Sequence, residues 1–326
     1  MADERVQPLF VFSLPRSGST LLQRVLAAHE GIATVSEPWL LLPLLGPLRA
    51  RMPHAGAWMP AAGDNLEDLA KLLPRGMADY RAVVRDAALA LYRDAAPAGT
   101  RWFVDKSPPY YLIPEEVMAT FEEARFIFLW RHPLSVVASI AETFTGGTWK
   151  PGDYVSSLFV GVDNLVQAAR CADDRALSVR FEDLVNGDEP TWERVLDHVG
   201  VRFDPGALER FNSVRLEGRM GDPTGVRRYT ALSTDPVEKW RDFVSNPVRR
   251  TWCRRYLRWL GEDRLDVMGY DLNALIAELA GTGQQRAGMG QDAVELGRAL
   301  LRDVVKAQVI RPRPPTSFRY LLARSA

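Results

Sequence analysis

Near the start of the chain, Pro15-Arg16-Ser17-Gly18-Ser19-Thr20 is a run of small residues carrying one cation. Where such a loop opens a helix, several backbone N–H groups and the positive end of the helix dipole converge on one point. The guest that suits such a point is phosphate. Arg16 adds a full charge with a forked donor set, and Ser17, Ser19 and Thr20 add hydroxyl donors. The triphosphate loop GxxxxGK[ST] is absent, because no Lys followed by Ser or Thr closes the run. The expectation is a phosphate cradle that works without a metal, set against the plainer reading of a Ser/Gly turn capping a helix.

A cradle of this kind needs a strand before it and a helix after it. Pro8 to Leu14 is apolar and β-prone, and Leu21, Leu22, Val25 and Leu26 recur at helical spacing. The short apolar runs Ile32 to Val35 and Arg125 to Trp130 read as buried parallel strands, and Trp102 to Val104 and Leu177 to Phe181 as further strands. Helices are expected over Leu134 to Phe144 and from about Thr191 to Val199. This alternation predicts an α/β fold with a central, mostly parallel sheet flanked by helices. Ligands then bind outside the carboxyl ends of the strands. Arg16, Glu37 and Arg131 each fall just past a strand end, which predicts one shared crevice.

Elsewhere, Pro43 to Asn65 and Thr145 to Asp153 read as irregular stretches that either wall an acceptor pocket or connect elements at the surface. Val237 to Leu260 reads as one Trp-rich helix, Gly281 to Gln291 as a flexible linker, and Asp292 to Val309 as a helix ahead of the basic end Arg311 to Pro315. The expected organisation is a main domain over residues 1–280 and an extension over 281–326.

A second segment carries its own chemistry. In Arg131-His132-Pro133-Leu134-Ser135-Val136-Val137-Ala138-Ser139, a strand-end Arg precedes Ser135 and Ser139, which are neighbours on the opening turns of a helix. Pro15 to Leu22 resembles the 5′-phosphosulfate loop of sulfotransferases that use 3′-phosphoadenosine 5′-phosphosulfate (PAPS), in the Arg-containing version of the tyrosylprotein and many bacterial members. Arg131 to Ser139 resembles the 3′-phosphate motif of that family. Val179 to Val185, Val237-Glu238-Lys239-Trp240 and Leu265 to Tyr270 resemble further landmarks, so the likeness covers most of residues 8–272.

The resemblance implies a P-loop-like three-layer fold, PAPS as the sulfonate donor and 3′-phosphoadenosine 5′-phosphate (PAP) as product. It implies that Arg16, Ser17, Gly18, Ser19 and Thr20 cradle the 5′-phosphate, that Arg131 and Ser139 grip the 3′-phosphate, and that Phe181 lies by the adenine. Phe181 stands where many members have Tyr. Arg228, in the basic stretch Arg215 to Arg228, corresponds to a loop that closes over the nucleotide and is carried over as a 3′-phosphate contact. The His that serves as base in cytosolic members is missing, since Asp105-Lys106-Ser107-Pro108 ends in Pro. The Glu used by the tyrosylprotein branch corresponds to Glu37, in Ser36-Glu37-Pro38-Trp39. Lys106, after an apolar run, is then the cation for the bridging oxygen, aided by Arg16.

Composition narrows the partners. With 41 cationic and 41 acidic side chains, no global field draws the chain to nucleic acid or an anionic membrane. No stretch approaches the roughly 18 apolar residues of a membrane helix. Cys171 and Cys253 stand far apart, which fits a reducing, cytoplasmic setting. His29, His54, His132 and His198 show no metal-ligand spacing. The expected partner is a hydroxyl acceptor, whether small molecule, glycan or peptide, with Trp39, Trp58, Trp149, Tyr110 and Tyr111 as candidate pocket walls. Two other readings compete: a metal-dependent nucleoside-triphosphate kinase, and a non-enzymatic nucleotide-binding module whose tail recruits a partner.

Overall fold

Five apolar runs form one sheet in the computed structural model, which describes residues 6–49, 58–218, 232–283, 285 and 287–298. The strands are β1 (Gln7–Ser13), β2 (Ile32–Thr34), β3 (Trp102–Asp105), β4 (Arg125–Trp130) and β5 (Ala176–Arg180). Their order is β2-β3-β1-β4-β5, and every pairing is parallel. Register is set by Phe10 opposite Asp105 on one side and Ser13 opposite Leu129 on the other.

The continuous apolar character of β1 and β4 follows from burial on both faces. Phe10, Phe12, Phe126 and Phe128 point to one side, where their rings meet in a core shared with Val84, Ala88 and Tyr92 of the helix Met77–Ala95 and with residues of the helices Pro133–Thr145 and Pro247–Met268. Leu9, Val11, Ile127 and Leu129 point to the other, against Leu22, Val25 and Leu26 of the helix Ser19–Ala27 and Val195 of the helix Glu189–His198. Three layers result. The edge strands are only partly buried, so the expectation of full burial holds for β4 and not for β2, whose Ala33 and Thr34 are partly buried.

Three expectations need correction. The Trp-rich segment is not one helix: short turns at Asp235–Glu238 and Trp240–Phe243 precede Pro247–Met268. Pro247 supplies the break, since a proline suits the first turn of a new helix and cannot continue an old one. The Asn246 side chain caps the new start by accepting from the Arg249 N–H. Within Pro43–Asn65, the chain is helical over Leu41–Leu45 and again over Trp58–Ala70, so the stretch is less irregular than its Pro and Gly content implies. Finally, helix begins at residue 289 rather than 292, and Asp292 is buried against Arg249 at 2.7 Å.

Candidate active site

Each strand ends, at its carboxyl edge, in a residue that the sequence singled out. Across the sheet these are Glu37 after β2, Lys106 after β3, Arg16 after β1, Arg131 after β4 and Phe181 after β5. The parallel order therefore lines up one row of charged and aromatic groups along the edge where α/β sheets bind ligands.

The centre of the row is the loop between β1 and its helix. Gly18 occupies the N-cap with φ of 88° and no side chain caps this helix, whose Leu21 and Leu22 N–H groups bond to the Gly18 carbonyl. Glycine is required twice over here. The left-handed backbone disfavours any side chain, and an added Cβ would lie 2.2 Å from Phe181. Arg16 also has positive φ, at 69°, a conformation uncommon outside glycine that costs on the order of 1–3 kcal/mol. Its turned backbone sends the Arg16 carbonyl to Arg131 Nη1 at 2.6 Å, while its side-chain Nε donates to Ser139 Oγ at 3.3 Å. The two segments read from sequence as separate phosphate motifs thus touch each other directly. Ser17 and Ser19 are buried.

Arg131 is buried as well, with Nη2 donating to the Pro236 carbonyl at 2.7 Å and its guanidinium 4.7 Å from the Phe181 ring centre. Phe181 itself is 5% exposed, enclosed between Gly18 and Arg131. Its ring supports the loop and the arginine from below. Arg228 lies outside the described residues.

On the β2–β3 side, Lys106 Nζ donates to Glu37 Oε1 at 2.7 Å and to Thr20 Oγ1 at 3.5 Å. Lys106 is 1% exposed and its carboxylate partner 10%. A cation joins the candidate base to the phosphate loop. Trp39 Nε1 donates to the other carboxylate oxygen, Oε2, at 3.1 Å. Of the proposed pocket aromatics, Tyr110, Tyr111 and Trp149 are buried in the core, and Trp39 stands exposed beside the site at 38%. The Trp58 side chain lies outside the described residues.

Several contributors were not named from sequence. Gln23, fully buried on the helix after the loop, donates from Nε2 to Thr34 Oγ1 and to the carbonyls of Val35 and Ser36, which fixes the chain entering Glu37. Asp105 accepts hydrogen bonds from Tyr92, Tyr110 and Ser107 in a fully buried pocket. Burial pushes its carboxyl up to about 6, against the opposing pull of those three hydroxyls and Lys106. His132, left without a role in the sequence reading, accepts from the Ser135 N–H through Nδ1 and caps the helix that carries Ser139. Its ring stacks on Trp240, and its Nε2 lies 3.6 Å from Glu278, whose carboxyl it holds below the usual range. Spacing alone does not reveal these roles, because Gln23, Asp105 and His132 each also meet partners more than ten residues away.

With the geometry established, comparison with known proteins gives a consistent result. The profile described as "Sulfotransferase family" matches residues 8–205. The chain is similar to the nodulation protein NoeE of Sinorhizobium fredii (strain NBRC 101917 / NGR234), with 28% identity over 300 residues, covering 83% of this chain and 68% of that protein. Two solved structures share the fold. The sulfotransferase domain of the Synechococcus PCC 7002 olefin synthase has TM-score 0.53 at 23% identity, over 83% of this chain and 98% of that one. The sulfotransferase domain from the curacin biosynthetic pathway has TM-score 0.52 at 24% identity, over 73% and 91%.

Proposed function

The chain belongs to the sulfotransferase family, and from that premise we propose that it moves a sulfonate from PAPS to an acceptor hydroxyl with Glu37 as base and no metal ion. The observation that carries this reading is the direct contact of Arg16 with Ser139 beside the uncapped N-terminus at Gly18. Two anion-binding motifs meeting in one place suit a nucleotide with phosphates at both ends. The residues fit such a guest: Ser17, Gly18, Ser19 and Thr20 lead into a helix start that no side chain caps, and Arg16 and Arg131 supply the charge.

When bound, PAPS supplies the sulfonate and departs as PAP. Ser17, Gly18, Ser19 and Thr20 hold the 5′-phosphate end, and Arg131 with Ser139 the 3′-phosphate. Phe181 supports that cradle, and we assign it no contact through a phenol oxygen. Glu37 takes the acceptor proton on a carboxylate oxygen. Lys106, between Glu37 and Thr20, places its charge where negative charge develops in the transfer. The acceptor is a hydroxyl compound, and its class is left open among small molecules, glycans and peptides. We further assign residues 1–280 to the transferase domain and 281–326 to an extension. Two isolated cysteines support a cytoplasmic setting. Among the described residues no helix is long and apolar enough to cross a membrane.

The test is Glu37→Gln. PAP affinity is expected to stay within twofold of wild type while kcat falls by roughly 10²–10⁴, the usual contribution of a positioned base. Wild-type turnover in this variant rejects Glu37 as base. The kinase reading differs in needing a divalent ion, so turnover that survives a chelator separates the two.

A further inference from the structure

Resting on the reading of Glu37 as base, we propose that Trp39 is the positioning residue for that carboxylate, acting through its indole N–H and anchored by a relay from Asp105. Glu37 has three rotatable side-chain bonds and must present one oxygen to the acceptor. Lys106 fixes Oε1 and Trp39 Nε1 fixes Oε2, so the plane of the carboxylate is set from both sides. Each oxygen can accept a second hydrogen bond, which leaves an orientation on Oε2 for the acceptor hydroxyl beside the exposed indole.

The backbone supplies the second, independent observation. Trp39 has φ of 51°, a left-handed conformation unusual for a bulky residue and unfavourable by roughly 1–2 kcal/mol. Something must hold it there. The Trp39 N–H donates to Ser107 Oγ at 3.0 Å, and Ser107 Oγ donates to Asp105 Oδ1 at 2.8 Å. Two residues on, the Leu41 N–H donates to the Tyr110 hydroxyl at 3.0 Å, which donates to Asp105 Oδ2. The buried carboxylate accepts a hydrogen bond from each hydroxyl, so both turn a lone pair toward the segment Trp39 to Leu41. A chain of hydrogen bonds runs from the sheet core to the candidate base.

Among the described residues, Lys106 is in contact with Glu37, Asp105 faces inward to Tyr92 and Tyr110, Arg16 turns to Ser139, and Glu217 lies next to the site with its backbone carbonyl on the Ser36 N–H. Removing the indole donor takes one hydrogen bond away from the charged carboxylate.

The experiment is a set of variants measured for PAP affinity, kcat and the pH dependence of kcat. Trp39→Phe keeps an aromatic ring at an exposed position, with less ring area, and removes the N–H donor. Its PAP affinity is expected within twofold of wild type, its kcat about tenfold lower, and its acid limb moved about half a pH unit higher. An unmoved acid limb overturns the proposal, whatever the change in kcat. Ser107→Ala is expected to lower kcat in the wild-type background and by less than twofold in the Trp39→Phe background, because the two act in series. Fully additive losses overturn the relay. If Glu37→Gln retains turnover, the base assignment itself fails. If Glu37→Gln is inactive while Trp39→Phe leaves the acid limb in place, only the role of Trp39 fails.

Discussion

Gly18 and Asp105 show how single positions join stability to the site. At Gly18 a methyl group meets both a left-handed backbone and the Phe181 ring, which in turn carries Arg131. Gly18→Ala is expected to cost about 2–4 kcal/mol in urea unfolding, the sum of backbone strain and overpacking. Shortening Phe181 to Ala in the same background recovers part of the steric share, and a stability within 0.5 kcal/mol of wild type for Gly18→Ala alone contradicts this packing. At Asp105 the argument is one of proton linkage. The folded carboxyl titrates near 6, above its ordinary value of 3.8, so between these pH values the folded state binds more protons than the unfolded one. The contribution is fully present below pH 4 and is lost as pH rises through 6, on the order of 2–3 kcal/mol in all. Asp105→Asn removes this term, so its Tm is expected to vary less between pH 4 and 7 than that of wild type. Parallel Tm curves contradict it. Sequence spacing revealed Gly18 readily, as part of a short contiguous loop. It could not reveal Asp105 as a hub, since two of its three hydroxyl partners, Tyr92 and Tyr110, come from elements outside its strand.

The elements were legible where one physical signal dominated. β1 and β4 are continuous apolar runs buried on both faces, and a helix follows each at the expected residue or within one or two of it. Legibility failed where two signals overlapped. In Val237 to Leu260, apolar and aromatic residues recur at helical spacing, yet Pro247 and the Asn246 cap restart the helix and override the periodicity. The same helix contains a second discontinuity at Gly261, with φ 65° and ψ 174°, a region open essentially to glycine alone. A Cβ there would meet nothing within 4 Å. Gly261→Ala is therefore expected to destabilise by about 1–3 kcal/mol through backbone strain with no steric clash, read from the urea midpoint at unchanged m-value. An unchanged midpoint contradicts the strain assignment. The helix from residue 289 begins before its expected start because the buried pair of Asp292 with Arg249 ties it to the main body, a contact between residues 43 positions apart.

For the whole molecule, the parallel order β2-β3-β1-β4-β5 turns five separate strand ends into one row, from a carboxylate through a lysine and two arginines to an aromatic support. The chain is electrically neutral overall, so its attraction for an anion comes from local arrangements such as this row and not from net charge. Membership of the sulfotransferase family accounts for the group transferred, and the row accounts for how this chain would hold the donor. The most direct measurement is calorimetric titration of wild type and Arg131→Ala with PAP and with adenosine 5′-phosphate, which lacks the 3′-phosphate. Wild type is expected to bind PAP at least tenfold more tightly, as a charge-assisted contact implies, with most of that preference lost in Arg131→Ala. Equal affinity of wild type for the two nucleotides would contradict a site built for phosphates at both ends.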